Sequence, residues 1–204
     1  VERSADNPIE FINSSGDSPI ELKEILMSIE KAKNDDRIKL IYLNFSEVNA
    51  GLSCIEEIRA KLIDFKTSGK QIIAYSNYYS QYSYLLCSVA DKIYLNPNGF
   101  IDLKGISASV VFFKNLLAKI GVETLIIRKG QFKSAVEPFT ETKMSESSRL
   151  QTKLLIEDIS EFMTNCISKE RNIEVSKINN DINELRLNSA AACKKLNYID
   201  DILY

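Results

Sequence analysis

The sequence predicts an α/β fold with a mostly parallel sheet. Three observations carry this. Short runs of β-branched and aromatic residues alternate with apolar-periodic stretches of helical length, a pattern that builds βαβ units with right-handed crossovers. The 204 residues fit one domain, or one domain with an appended helical segment. A hydrophobic content of 45% beside 26% charged residues is ordinary for a folded globular chain.

Taken in order, residues 1–17 are polar, contain Pro8 and Gly16, and read as an extended leading segment. Ser18-Pro19-Ile20-Glu21 has the form of a capping box with proline at the first helical position. Leu22, Ile25, Leu26 and Ile29 follow at helical spacing, as one buried face. After the charged break from Lys31 to Arg37, residues 38–45 read as a strand. A second capping box, Ser53-Cys54-Ile55-Glu56, opens a helix with Ile55, Ile58, Leu62 and Phe65 on one face, and Gly69 ends it.

Residues 71–76 are the next strand, 80–90 the next helix and 92–95 a short strand. Asn96-Pro97-Asn98-Gly99 is a turn by composition. A short β-like stretch spans 100–106, and an apolar-rich helix over 110–120 is ended by Gly121. A strand over 122–128 comes next. The character changes after it: Met144-Ser145 caps a long helix reaching about Lys169, with Leu150, Leu154, Leu155, Ile159, Phe162 and Met163 as its apolar stripe. Residues 171–187 read as a polar loop with a short helix, 189–196 as a last helix and 198–204 as a short terminal strand or tail. The expected organisation is therefore the leading segment over 1–17, an α/β core over 18–143, and a helical extension over 144–204 that packs on the core or reaches a neighbouring subunit.

Composition excludes several functions. The net charge of −2, with no lysine-arginine stripe interleaved with aromatics, gives no field for nucleic acid. The chain has no histidine, which removes Ser-His-Asp and Cys-His catalysis and every histidine-ligated metal site. Cys54, Cys87, Cys166 and Cys193 are far apart, without a C-x-x-C pair, and read as buried free thiols in or beside apolar helical runs. No glycine-rich phosphate loop follows a strand. No apolar run approaches the roughly 20 residues that span a bilayer. The first residue is valine, which points to a piece of a longer chain.

Chemistry concentrates in Arg128-Lys129-Gly130-Gln131-Phe132-Lys133-Ser134-Ala135-Val136-Glu137-Pro138-Phe139. A glycine lets the chain turn at the end of a predicted strand. Three residues later comes Lys133, among Phe132, Ala135, Val136 and Phe139. Lysine serves as a general base only where burial disfavours its ammonium form. A solvated surface charge is the ordinary state of a lysine, and the residues alone leave both readings open.

The string from Gly130 to Phe139, followed by Met144-Ser145, resembles the lysine motif of signal peptide peptidase A (protease IV) in its long, two-half form. The resemblance extends over Tyr78-Tyr79-Ser80-Gln81-Tyr82-Ser83-Tyr84 and Ala90-Asp91-Lys92-Ile93-Tyr94-Leu95-Asn96-Pro97. It runs from about Ser18 to Leu203 and is strongest over 71–105 and 128–145. It implies the Clp protease/crotonase-like spiral of βαβ units and a Ser/Lys serine endopeptidase, with Lys133 as general base. The family's nucleophilic serine starts a helix after a strand and is followed by two glycines. Here Gln81 stands at that position, with Tyr82 and Ser83 in place of the glycines.

The long-form enzymes are two tandem copies, the first supplying lysine and the second serine. The resemblance therefore implies an N-terminal, lysine-donating half, inactive alone, completed by a C-terminal half. It further implies signal peptides as substrates after their release, homo-oligomers, a membrane anchor absent from this chain, an extracytoplasmic (periplasmic) location, and no metal or organic cofactor. No substrate-binding residue is assigned.

Other candidates remain. Ser80 and Ser83 lie one or two positions out of register, with helix capping and a helix-surface place as their plain roles. Ser134 reads as a turn or cap serine. Lys129 would depress the Lys133 pKa if it lay within a few ångströms, whereas facing water is the ordinary state. Glu137 touching Lys133 would raise the lysine pKa, so it is expected to face a backbone amide or Arg128. Tyr75, Tyr78, Tyr79, Tyr82 and Tyr84 are expected in core and interface packing ahead of a peptide groove. Two other functional classes stand beside the peptidase: a non-catalytic oligomerisation scaffold of the same fold, and a crotonase-type acyl-thioester enzyme. The second needs glycine-rich oxyanion segments, against which the seven scattered glycines argue.

Overall fold

The computed structural model describes residues 20–124 and 134–204. The leading segment 1–17, the Ser18-Pro19 cap and the stretch 125–133 lie outside these. The described chain forms two compact units, one of residues up to Lys104 together with 165–204, the other of 105–164.

The first unit is built on a parallel four-stranded sheet in the order β1-β2-β4-β6, with β1 Leu40–Asn44, β2 Gln71–Ser76, β4 Lys92–Leu95 and β6 Asp201–Ile202. Register sets Tyr42 beside Ile73, Tyr75 beside Tyr94, and Leu95 beside Ile202. Parallel neighbours need crossovers, and helices supply them: α2 (Leu52–Lys66) joins β1 to β2, and α3 (Gln81–Cys87) lies between β2 and β4. A small second sheet pairs β3 (Tyr79–Ser80) with β5 (Ile101–Asp102), also parallel. This is the mixed α/β architecture with a mostly parallel sheet that the sequence predicts, and it fits the Clp/crotonase-like class.

Alternation of side chains along the strands defines the core. Ile72, Ala74, Ser76, Ile93 and Leu95 are buried, whereas Ile73, Tyr75 and Tyr94 are half-buried and Tyr42 is exposed. Ile55, Ile58, Leu62 and Phe65 of α2 form the buried helix face the sequence indicated. Gly69 follows α2 with φ 79°, and its N–H closes onto the Lys66 carbonyl at 3.0 Å. Gly99 is needed for another reason. A Cβ there would stand 2.4 Å from the Asn77 carbonyl oxygen, so only glycine fits the turn after β4.

Two helix starts differ from the capping-box reading. Helix α1 (Leu22–Asn34) begins behind Glu21 and α2 behind Gly51, neither with a side-chain cap. In each case a backbone carbonyl opens the ladder: Glu21 O accepts from Ile25 N–H, and Gly51 O from Ile55 N–H. In α2 this draws Leu52 into the first turn, where it is half-buried, and leaves Ser53 inside the helix. The polar region after residue 171 contains α7 (Val175–Asn183), and α8 (Ala190–Lys195) follows under a Ser189 cap. Both belong to the first unit.

In the second unit, the helix expected over 110–120 shrinks to α4 (Lys114–Lys119). β-Branched Val110 and Val111 favour helix poorly and remain exposed. Val122–Thr124, expected as the start of a strand, carries no regular element, because Val122 N–H turns back to Leu117 O at 2.9 Å. A 3₁₀ turn (Ser134–Val136) leads into the short α5 (Glu137–Thr140). The long helix α6 (Glu146–Arg171) has residues in both units, with the boundary after Thr164. Its Leu150, Leu154 and Leu155, expected on the buried stripe, are 51–60% exposed. Among the described residues no helix is long and apolar enough to cross a membrane.

Candidate active site

Two places bear on the predicted chemistry, one in each unit. The first is the head of α3. Strand β2 ends at Ser76, the chain passes through β3, and Gln81 is the first helical residue. Ser80 is the cap: its side chain accepts from Ser83 N–H at 3.3 Å and donates to Ser83 Oγ at 3.1 Å. Ser83 is fully buried, and its hydroxyl faces the carbonyls of Ser46 at 2.6 Å and Ser80 at 2.9 Å. The Ser46 carbonyl also accepts Ser80 N–H at 3.0 Å. Ser46 and Ser76 share a hydroxyl contact of 2.8 Å, and Ser76 lies 2.5 Å from the Tyr78 carbonyl. This chain of serines ties the end of β2 to the loop after β1 and to the start of α3.

Among the described residues no base reaches these hydroxyls. A nucleophile needs its proton directed at a base and its oxygen open to a carbonyl carbon. The Ser83 proton is committed to backbone, and Ser80 is the cap the sequence suggested. Of the five tyrosines singled out there, two take the core places expected. Tyr79 and Tyr84 are fully buried, donating to the carbonyls of Tyr94 at 2.9 Å and Tyr198 at 2.7 Å. Burial pushes both phenols above their ordinary pKa, so they are neutral core donors. Tyr78 stacks on Phe100 at 5.7 Å and donates to Glu47.

The second place is the lysine segment. Lys133, with Arg128 and Lys129, lies outside the described residues; both flanks are described. On the downstream side, α5 begins at Glu137 and contains Pro138 in its first turn, where a missing N–H costs nothing. Phe113 N–H donates to Pro138 O at 2.6 Å, and Phe113 stacks on Phe139 at 5.9 Å between ring centres. Upstream, the Thr124 hydroxyl lies 3.4 Å from Phe139 O. The two flanks thus meet at Phe139.

Glu137 is the buried charge of this region, with 3% of its surface exposed. Its Oε2 accepts Ser145 N–H at 3.2 Å and its Oε1 accepts the Ser145 hydroxyl at 2.6 Å. The backbone-amide partner is the kind the sequence suggested. Ser145 precedes α6, and its Oγ accepts from Ser148 N–H at 3.2 Å, which makes it the helix cap. The same hydroxyl therefore caps α6 and donates to Glu137. Sequence reasoning saw the cap and missed the pairing, which no local pattern signals across eight residues.

Residues 64–204 match peptidase family S49. The chain belongs to that family. It is 36% identical over 157 residues to Protease 4 of Haemophilus influenzae, covering 76% of this chain and 25% of that protein. It is 34% identical over 158 residues to Protease 4 of Salmonella typhi, covering 77% and 26%. To the chloroplastic serine protease SPPA of Arabidopsis thaliana it is 25% identical over 197 residues, covering 94% and 29%. The S49 chain thus spans about a quarter of the length of the relatives it matches. The matched region contains both places described above, the head of α3 and the lysine segment with its Glu137–Ser145 pair.

Proposed function

We propose that this S49 chain is the lysine-donating, N-terminal part of a two-half serine endopeptidase, with Lys133 as general base. The nucleophilic serine comes from a C-terminal half outside this chain. The neutral amine of Lys133 takes the serine proton as the hydroxyl oxygen attacks the scissile carbonyl. The ammonium so formed returns the proton to the leaving amine, and water then releases the acyl group from the serine by the same base. By the resemblance, the substrates are signal peptides after their release, the enzyme is a membrane-anchored homo-oligomer, and the catalytic side is extracytoplasmic.

The observation that carries this reading is the head of α3. At the place where the family's serine would stand is Gln81, and the neighbouring hydroxyls of Ser80 and Ser83 are held by backbone groups and each other. On this reading the segment alone is inactive. The test compares the full-length protein with its Lys133→Ala variant on a fluorogenic signal-peptide-like substrate across pH. Turnover should vanish while folding is retained, and the rising limb of the wild-type profile should report the base pKa. Unchanged turnover would overturn the assignment.

A second reading, a scaffold that assembles subunits, draws on the exposed Leu150, Leu154 and Leu155 of α6. It requires Lys133→Ala to alter the assembled mass and leave turnover intact.

A further inference from the structure

The lysine motif continues past Lys133 into Glu137, whose carboxylate is buried and joined to Ser145 by two hydrogen bonds. Resting on the reading of Lys133 as the base, we propose that Glu137 is a positioning residue: through Ser145 it locks the turn after the lysine onto the first turn of α6.

The geometry argues for a brace rather than a casual contact. Ser134–Val136 is a tight 3₁₀ turn that passes directly into α5, and Glu137 follows Lys133 by four residues in sequence. Helix α5 is four residues long, too short to hold its place by its own hydrogen bonds. Its Glu141 N–H to Glu137 O bond of 2.8 Å closes a single helical turn. What places that turn is external: Phe113 on the Pro138 carbonyl and the Phe139 ring, and Ser145 on Glu137. An ionised carboxylate only accepts, and here both oxygens are engaged by one residue, which defines orientation as well as distance.

Ser145 is suited to the task because its hydroxyl has two distinct duties. The proton goes to Glu137 at 2.6 Å, leaving lone pairs for Ser148 N–H at 3.2 Å. Ser147 Oγ lies 3.1 Å from the same oxygen. The first turn of α6 and the turn after Lys133 share one hydroxyl. The amide groups at the head of α6 also favour a negative charge nearby, which supports burial of the carboxylate at this spot. Displacement of a reacting group by about 1 Å can lower a rate by about a hundredfold, so a tether four residues along the chain from the base has leverage on catalysis.

The test uses the full-length protease with the variants Glu137→Ala, Glu137→Gln, Ser145→Ala and Ser145→Thr. Each is measured for kcat and KM per active site titrated with a serine-directed fluorophosphonate, and for the pH of the rising limb. Glu137→Ala and Ser145→Ala should lower kcat by about tenfold to a hundredfold with KM within about twofold. Ser145→Thr, which keeps the hydroxyl, should restore most of the rate. Glu137→Gln, which keeps an acceptor oxygen, should fall between. Normal kcat per titrated site and an unmoved pH profile in Glu137→Ala would overturn the proposal, as would a Ser145→Thr variant as slow as Ser145→Ala. Lys133→Ala in the same series separates the two ideas: if it stays active the base assignment fails, whereas if it is dead and Glu137→Ala is normal only the positioning role fails.

Discussion

Ser80 at the head of α3 and Ser145 at the head of α6 hold the same local office, each accepting a first-turn N–H at 3.2–3.3 Å. Their protons go to different places. Ser80 donates to Ser83 Oγ, inside a cluster that ends on main-chain carbonyls. Ser145 donates to the carboxylate of Glu137, which begins α5 four residues after Lys133. One hydroxyl is absorbed in stitching strand to helix; the other links a helix head to the segment that carries the lysine motif. A serine's role is set by where its proton points, and in this chain neither candidate near Gln81 points it at a base.

The comparison breaks most visibly at Ser83. Replacing Ser83 with alanine removes a buried donor and leaves the Ser46 carbonyl one partner fewer, at a cost of about 1–3 kcal/mol by denaturant unfolding. Turnover per folded molecule in the full-length enzyme should not change; a selective loss of turnover would restore Ser83 as a catalytic suspect. Ser80→Ala should cost about 1 kcal/mol, the ordinary value of a lost cap. A cost near zero would mean that Ser80 N–H on Ser46 O, not the side chain, holds the helix start.

The smallest effect concerns a carboxylate less enclosed than Glu137. Partial burial works to raise the pKa of Asp200, but Ile93 N–H at 2.9 Å, the Arg171 guanidinium at 3.1 Å and Lys92 outweigh it and hold the carboxyl below its ordinary 3.8. A depressed folded pKa contributes stability above the unfolded value, and the contribution is lost as pH falls through the folded one. Stability should therefore decline with acid below about pH 4, and Asp200→Asn should flatten that part of the profile. An unchanged acid slope in the variant would remove Asp200 from the account.

Much of the fold was legible because it rests on local rules. Strands β2 and β4 were read to the residue from their apolar runs, and Ser80 and Ser145 were each read as caps. The Ser53 box and the helix start expected before Leu22 misled because a capping pattern permits a helix start without requiring one. There the main-chain carbonyls of Glu21 and Gly51 open the helices instead. The exposed Leu150, Leu154 and Leu155 show the converse limit, since periodicity marks a face without naming what covers it. At the candidate site, the lysine motif was legible as a string, whereas the Glu137–Ser145 pair depends on a turn that brings residues eight apart together.

The claim that the nucleophile lies outside this chain can be tested by mapping it. The full-length protease would be labelled with a fluorophosphonate, digested, and the modified serine located by mass spectrometry, with Lys133→Ala as the companion sample. The account predicts a single labelled serine outside the 204 residues of this chain, and slow or absent labelling when Lys133 is alanine. Label on Ser80 or Ser83, or full-rate labelling without Lys133, would contradict it.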